Sequence, residues 1–183
     1  MKKQLATLLL ALAGGLTGTQ AFATTGTINF EGRITSSTCP IEVVNPEDGS
    51  VGNLVRMGTI EATRFSAIGQ EYSGKSFALR VKGGTGCGLN PADNTASVTF
   101  NGTADASGDY FAVTPTADGA VGVAIVIKDH TGAAVAPGAA SADYDLLDTG
   151  STDMVFNAYY RSTALTVSAG AASANVQFIV AIN

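Results

Sequence analysis

The sequence has few of the residues that build metal sites and catalytic centres. Its 183 residues include no tryptophan, one histidine and two cysteines, and only 14% of them are Asp, Glu, Lys or Arg. Cys39, Cys87 and His130 lie far apart in the chain, whereas a structural zinc site takes four Cys or His ligands. Metal binding is therefore a weak alternative to a simpler use of the two cysteines.

Long apolar runs are also missing. No stretch reaches roughly 18 consecutive apolar residues, so we expect no transmembrane helix. The beginning of the chain instead shows the three parts of a secretory signal peptide: the basic Met1-Lys2-Lys3, an apolar stretch from Leu5 to Leu16, and the cleavage site Ala21-Phe22-Ala23. We expect residues 1–23 to be removed and the mature chain, starting at Thr24, to be exported.

Positive charge is scarce in the mature chain. Loss of Lys2 and Lys3 with the signal leaves 8 Lys and Arg against 15 Asp and Glu, a formal charge of −7. This balance disfavours binding to nucleic acids and to anionic membrane surfaces, both of which attract positively charged proteins.

The apolar pattern predicts short strands and no long amphipathic helix. Abundant Gly, Ala, Thr, Ser and Val suit strands joined by tight turns. About eight such strands predict an all-β, immunoglobulin-like β-sandwich. The Ala- and Gly-rich stretch from Thr131 to Ala142 is expected to be a mobile loop. The strand-like runs are 27–35, 39–44, 54–59, 77–82, 96–100, 121–128, 154–161 and 174–182.

Residues 25–35 alternate between two faces without interruption. One face carries Gly26, Ile28, Phe30, Gly32 and Ile34, and polar residues occupy the other. This period-two pattern predicts a strand with one buried face. Because the segment precedes the first cysteine, nothing ties it to the rest of the chain. An untethered strand can pair with another molecule.

The end of the chain has a matching pattern. After Gly170, the fourteenth residue counted back from Asn183, the residues Val176, Phe178, Val180 and Ile182 share one face. They predict a final strand whose apolar face needs a neighbour.

The two cysteines are most simply one disulfide. Cys39 and Cys87 form an even pair in a chain predicted to be exported, where the environment is oxidising. The bridge would join an early strand to the glycine-rich segment around Cys87.

Two motifs suggest an enzyme and are weighed against simpler interpretations. Residues 69–76 match the phosphate-binding pattern G-x-x-x-x-G-K-[ST], which requires a strand before it and a helix after it. Residues 62–68 have a mixed pattern and residues 77–81 alternate as a strand, so an inter-strand loop is the preferred interpretation. His130 lies in a turn signal and no nucleophile elbow is present, so we predict a solvated turn histidine and no catalytic triad.

Taken in order, several short segments resemble the pilin subunits of the chaperone-usher family, and among them the major subunits of type 1-like fimbriae. The resemblance covers essentially the whole mature chain, and the set of segments in this order and spacing is specific. One departure is Ile182, where such pilins commonly carry Tyr. The segments are the lead-in Gly26–Ile34, Cys39, Val55-Arg56-Met57-Gly58, Ser76–Val81 leading to Cys87, Val121–Ile125, Phe156–Tyr160 and the tail from Gly170.

The resemblance implies a function in assembly. Family members lack the last strand of the sandwich, and a periplasmic chaperone fills the gap first. At the outer-membrane usher, the N-terminal extension of the next subunit replaces it, which is a form of β-augmentation. Carried over, residues 24–36 form the donor extension, with Ile28, Phe30 and Ile34 as plugs, and residues 37–183 form the pilin domain. Gly170, Val176, Phe178, Val180 and Ile182 would form the strand recognised by chaperone and usher.

The sequence therefore predicts a non-enzymatic filament subunit for cell adhesion that binds no cofactor and no nucleotide. Two alternatives remain open: a minor or adaptor pilin of the same pathway, and a secreted monomeric sugar-binding β-sandwich.

Overall fold

The computed structural model describes residues 39–83, 89, 94–147 and 149–183. This part of the chain is almost entirely β-structure, with one 3₁₀ turn at Ala62–Arg64, which confirms the prediction of an all-β fold. The strands are β1 (Ile41–Val44), β2 (Glu71–Lys82), β3 (Thr95–Asn101), β4 (Phe111–Ala112), β5 (Val123–Lys128), β6 (Tyr144–Asp145), β7 (Ser151–Ser162) and β8 (Gln177–Ile182).

The strands form two antiparallel sheets. The first has the order β1-β2-β7-β5-β4, and the second has the order β6-β3-β8. Because non-consecutive strands are neighbours in both sheets, the chain crosses repeatedly from one sheet to the other. This connectivity is typical of immunoglobulin-like sandwiches.

The core lies between the two sheets and is built from alternate residues of their central strands. Phe77 on β2 and Phe156 on β7 stack at 5.7 Å, and Phe100 on β3 meets the Phe156 ring edge-on at 4.9 Å. Edge-to-face and offset contacts are the favoured arrangements for aromatic rings. The aromatic cluster therefore joins the two sheets at their centre.

Charged side chains are concentrated on the first sheet. Arg80 on β2 donates two hydrogen bonds to Asp153 on β7, at 2.6 and 2.8 Å. Glu71 accepts hydrogen bonds from Lys128 and Arg161. Burial opposes ionisation of Glu71, but the hydrogen bonds and charges of Lys128 and Arg161 outweigh it and lower its pKa. Strands β3 and β8 of the second sheet, by contrast, contain no charged residue.

Two predicted assignments are wrong. Residues 54–59 do not form a strand, although Val55 and Met57 are half-buried against the core. The predicted loop at 69–76 is largely part of β2, which starts at Glu71 and contains a bulge between Tyr72 and Lys75. Ser73 takes a positive φ of 58° in that bulge. The two-residue strands β4 and β6 were not predicted.

The Ala- and Gly-rich stretch Thr131–Ala142 is hydrogen-bonded to strands of both sheets. The Val135 amide donates to the Ile127 carbonyl of β5, and the Ser141 amide donates to the Val98 carbonyl of β3. Val135 is buried, as is the Asp129 side chain that accepts from the Thr131 and Ala142 amides. The expectation of a mobile loop is therefore not supported.

Cys39 is buried at the start of the described chain. Cys87 lies outside the described residues, so the predicted Cys39–Cys87 disulfide stays a prediction.

Candidate functional site

The last strand is the part of the sandwich with the least cover. From residue 171 to residue 180, exposed and half-buried residues alternate, and none of the six residues of β8 is buried. On the neighbouring strand β3, the side chains that face the core are buried: Val98 is 0% exposed and Phe100 is 2% exposed. Since Val98 lies opposite Val180 and Phe100 opposite Phe178, the two rows belong to one layer. The layer is covered on the β3 side and open on the β8 side.

The backbone of β8 also has one unpaired edge. Thr95 and Asn183 exchange both of their amide–carbonyl hydrogen bonds, at 2.9 and 3.4 Å. In an antiparallel ladder every second pair bonds in this way, so Ile179 and Ala181 also bond to β3. The amide and carbonyl groups of Phe178, Val180 and Ile182 consequently point away from β3. No strand of the described chain lies on that side.

Phe178 and Val180 therefore present side chains to the core and backbone groups to an open edge, whereas the Ile182 side chain is 36% exposed at the end of the strand. We call the row Val176, Phe178, Val180 and Ile182 the β8 edge. A strand laid beside it would find hydrogen-bonding groups and apolar contacts at alternate positions. Of the predicted row, Val176, Phe178 and Val180 are half-buried against the core and Ile182 is exposed; β8 starts at Gln177, so Val176 lies just before it.

A second unpaired segment lies between β1 and the 3₁₀ turn. Within residues 53–60, Val55, Met57 and Ile60 pack against the core, while their neighbours are exposed. No backbone hydrogen bond between described residues involves this segment. It has the side-chain alternation of a strand without a strand partner, which explains why the sequence predicted one.

A cleft separates the end of this segment from the residues that lead into β8. Its volume is about 390 Å³, and residues 58–65 and 167–172 form two of its walls. Ile60, Phe65 and Val167 give it an apolar lining, and the Tyr160 hydroxyl in its wall donates to the Ala172 carbonyl at 2.9 Å. The sequence did not predict this cleft, because its walls come from segments about a hundred residues apart.

Gly170 has a structural reason to be glycine. The segment around it runs against residues 118–121, where the Ala171 amide donates to the Asp118 carbonyl and the Ala120 amide to the Ala171 carbonyl. A Cβ atom at position 170 would lie 2.3 Å from the carbonyl carbon of Gly119, so no larger residue fits without movement of the backbone. Gly170 is therefore in the cleft wall and outside β8.

The remaining candidates of the sequence analysis are distributed as follows. The donor-strand residues Gly26, Ile28, Phe30, Gly32 and Ile34 lie outside the described residues, as does Cys87. His130 is exposed in the turn after β5, where its backbone amide donates to the Tyr144 hydroxyl and its ring lies 4.4 Å from the Tyr144 ring.

The phosphate-binding interpretation of residues 69–76 is contradicted. Gly74, Lys75 and Ser76 are part of β2, so the helix N terminus that would bind phosphate is absent from this position. In the described ranges, no group of three or more His, Cys, Asp or Glu side chains is placed to hold a metal ion. No helix of the same residues has the length and apolar character needed to cross a membrane.

Comparison with known proteins agrees with this picture. The model of the fimbrial protein family matches residues 28–183. The chain belongs to the fimbrial protein family. It is 33% identical over 158 residues to the probable major fimbrial subunit LpfA of Escherichia coli O157:H7, a match that covers 84% of this chain and 81% of that protein.

Solved structures show the same relationship. A type I fimbria protein and antigen of Burkholderia pseudomallei is 33% identical, with a TM-score of 0.56 over 86% of this chain and 98% of that one. A chaperone-usher pilus structure, at 19% identity and a TM-score of 0.62, covers 87% of this chain and 96% of that one and shares its fold. The chain is thus a fimbrial subunit with the fold of a chaperone-usher pilin. It belongs to a structural family and not to an enzyme family, and its place is the pilus outside the cell.

Proposed function

We propose that this fimbrial subunit is a major rod subunit that polymerises by donor-strand exchange. The β8 edge of one copy receives residues 24–35 of the next, with Ile28, Phe30 and Ile34 directed into the core. A periplasmic chaperone occupies the edge during transit, and an outer-membrane usher is the place of exchange. Polymerisation of such subunits builds a surface filament for cell adhesion.

The observation that supports this proposal best is that Phe178 and Val180 combine core-facing apolar side chains with unpaired backbone groups. An edge with either feature alone is common, but an edge with both requires another strand for completion. The fimbrial family supplies such a strand from another molecule. Because donation from copy to copy is a heterologous contact that does not close on itself, its product is a filament.

The expected energies are large enough for assembly. Burial of an Ile or Phe side chain contributes about 1.5–3 kcal/mol, and each ladder hydrogen bond about 1 kcal/mol net. Three plugs and several such bonds together approach the roughly 5–15 kcal/mol that stabilises a whole domain. The subunit alone is then marginally stable, and the completed subunit is very stable.

One relative supports a major subunit over the minor or adaptor alternative. It is 33% identical to this chain over 158 residues and is named a probable major fimbrial subunit. The monomeric sugar-binding alternative does not explain why a half-buried apolar row on β8 borders an unpaired backbone edge.

Deletion of residues 24–35, with the signal peptide kept, tests the proposal. In cells that also produce the cognate chaperone and usher, we expect a folded subunit that stays in the periplasm bound to the chaperone. Electron microscopy should find no surface filaments, because no copy can complete its neighbour. Filaments of normal number on the deletion strain would refute the proposal, and a monomer that binds glycan in a saturable way would favour the sugar-binding alternative.

A matched pair of triple variants tests whether assembly needs the plug side chains themselves and not only the presence of the segment. The inward triple Ile28→Ser, Phe30→Ser and Ile34→Ser should reproduce the deletion. The outward triple Thr27→Ala, Asn29→Ala and Glu31→Ala changes the same strand on its other face and should assemble normally.

A further inference from the structure

Three exposed aliphatic residues lie on segments that are hydrogen-bonded to one another at one end of the domain. Ile68, Val121 and Leu165 are 59%, 67% and 73% exposed. They come from three separate segments that are joined around Ser162 and Thr163. The Gly69 amide donates to the Ser162 carbonyl, and the Thr163 amide donates to the Gly122 carbonyl. We call Ile68, Val121 and Leu165 the apolar collar.

The collar residues are close in sequence to residues that line the cleft described above. Phe65, Ala120 and Val167 line the cleft, and each is one to three residues from a collar residue in sequence. The collar is also at the N-terminal end of β8, since residues 167–172 lead into that strand. An exposed aliphatic cluster beside an apolar cleft is unusual for a surface that meets only water.

The direction of the donor strand places the donating copy at this end. All six strand pairings of the described chain are antiparallel. Antiparallel pairs are also two- to three-fold more common in general. A donor that runs antiparallel to β8 brings Ile34 and Thr35 to the start of β8, at the cleft. From Thr35 to Cys39 there are four residue steps, which span at most about 14 Å.

The body of the donating copy must therefore sit close to the collar. Both copies carry the same net negative charge. A contact made through aliphatic side chains avoids the repulsion that charged surfaces of like sign would produce.

We infer that the apolar collar is the surface on which the body of the donating copy rests, as a second contact beside the donor strand. This inference rests on the proposed function and extends it from a strand to a domain surface. It assigns Ile68, Val121 and Leu165 to the filament interface, and it predicts that they contribute to how firmly consecutive subunits are held.

The test uses the full-length chain with Val121→Ser and Leu165→Ser together. Both side chains are exposed, so the substitutions should not unfold the subunit. Two readouts are needed. The first is uptake of a labelled synthetic peptide of residues 24–35 by the subunit, which reports on the groove. The second is the rate at which purified filaments shed subunits in urea, which reports on the whole contact.

We expect normal peptide uptake and shedding at least about tenfold faster. A tenfold change corresponds to about 1.4 kcal/mol, less than the usual contribution of one buried aliphatic side chain. Leu147→Ser, an equally simple change of an exposed aliphatic residue outside the collar, is the matched control and should leave both readouts unchanged.

Three outcomes would overturn the inference. Unchanged shedding in the double variant would mean that the collar makes no contact. Lost peptide uptake would mean that the collar serves the groove itself. Faster shedding in Leu54→Ser, at the other end of residues 53–60, together with unchanged shedding in the double variant, would place the donating copy at the opposite end. Failure of the unmodified chain to take up the peptide would instead refute the proposed function, which keeps the two failures distinct.

Discussion

A chain that carries a second copy of residues 24–35 after Asn183, joined by a short turn, is expected to unfold about 20 °C higher than the unmodified mature subunit. β8 ends at Ile182, so a turn of a few residues lets the copy fold back along the β8 edge. Three buried plugs contribute about 5–9 kcal/mol, and 1 kcal/mol shifts the melting temperature of a domain of this size by about 2–4 °C. The fused chain should also remain monomeric, because its own groove is occupied. Differential scanning calorimetry and size-exclusion chromatography measure the two properties.

The control for this fusion is a chain of the same length. In it, the appended copy carries Asp at the positions that correspond to Ile28 and Phe30, so the backbone is retained while two of the three plugs are replaced by charged residues. Its melting temperature should stay within a few degrees of the unmodified subunit. An equal rise in both fusions would mean that the stabilisation does not come from plugs entering an apolar groove.

Val180→Asp is expected to abolish assembly while leaving the lone subunit folded. Val180 is half-buried and lies opposite the fully buried Val98, so a carboxylate there stays partly hydrated until a strand covers it. Covering it would bury an unpaired charge, which shifts carboxyl pKa values by up to 3–5 units and costs about 1.4 kcal/mol for each unit. Binding of the 24–35 peptide should fall by about a thousandfold, which corresponds to a shift of the carboxyl pKa by about three units, measured by fluorescence anisotropy.

Ile179→Asp is the natural comparison for that variant. Ile179 is the next residue on the same strand, but its side chain points to the outer face and is exposed. The Asp at position 179 stays in water whether or not a donor strand is bound, so peptide affinity should change by less than about threefold. Equal losses of peptide affinity in both variants would show that β8 tolerates no charge on either face. The direction in which the side chain points would then not explain the effect.

Much of the fold could be predicted because its long strands alternate clearly. The predicted segments 77–82, 96–100 and 154–161 each lie within a strand whose inward residues are buried. β4 and β6 have two residues each, too few for any periodicity to be read. Residues 54–59 have the right alternation, since Val55 and Met57 do face the core, but strand formation also needs a hydrogen-bonding neighbour. Side-chain pattern reports which face is buried and not whether the backbone is paired.

The other errors have similar causes. Residues 69–76 match a phosphate-binding motif that occurs in loops. In the structure, however, Tyr159 packs over Gly74, and the bulge at Ser73 allows β2 to continue through the segment. Thr131–Ala142 has the composition of a loose loop, but its backbone amides reach β3 and β5. Both outcomes depend on contacts with residues far along the chain, which composition does not contain.

The candidate site divides in the same way. The apolar row of β8 could be read from the sequence, because it is a property of one segment. The cleft and the close approach of Gly170 to Gly119 could not, because they arise where separate segments meet. The role of residues 24–35 as donor strand stays a prediction until the experiments above are done.

Residue-specific amide hydrogen exchange along β8 tests the central claim most directly. In the mature subunit alone, the amides of Ile179 and Ala181 should exchange slowly because they bond to β3, and those of Phe178, Val180 and Ile182 should exchange quickly. Addition of the 24–35 peptide should slow the second group by at least about a hundredfold, as expected for amides drawn into a stable ladder. If Phe178, Val180 and Ile182 are already protected in the lone subunit, or remain unprotected with saturating peptide, the β8 edge is not the site that another copy completes.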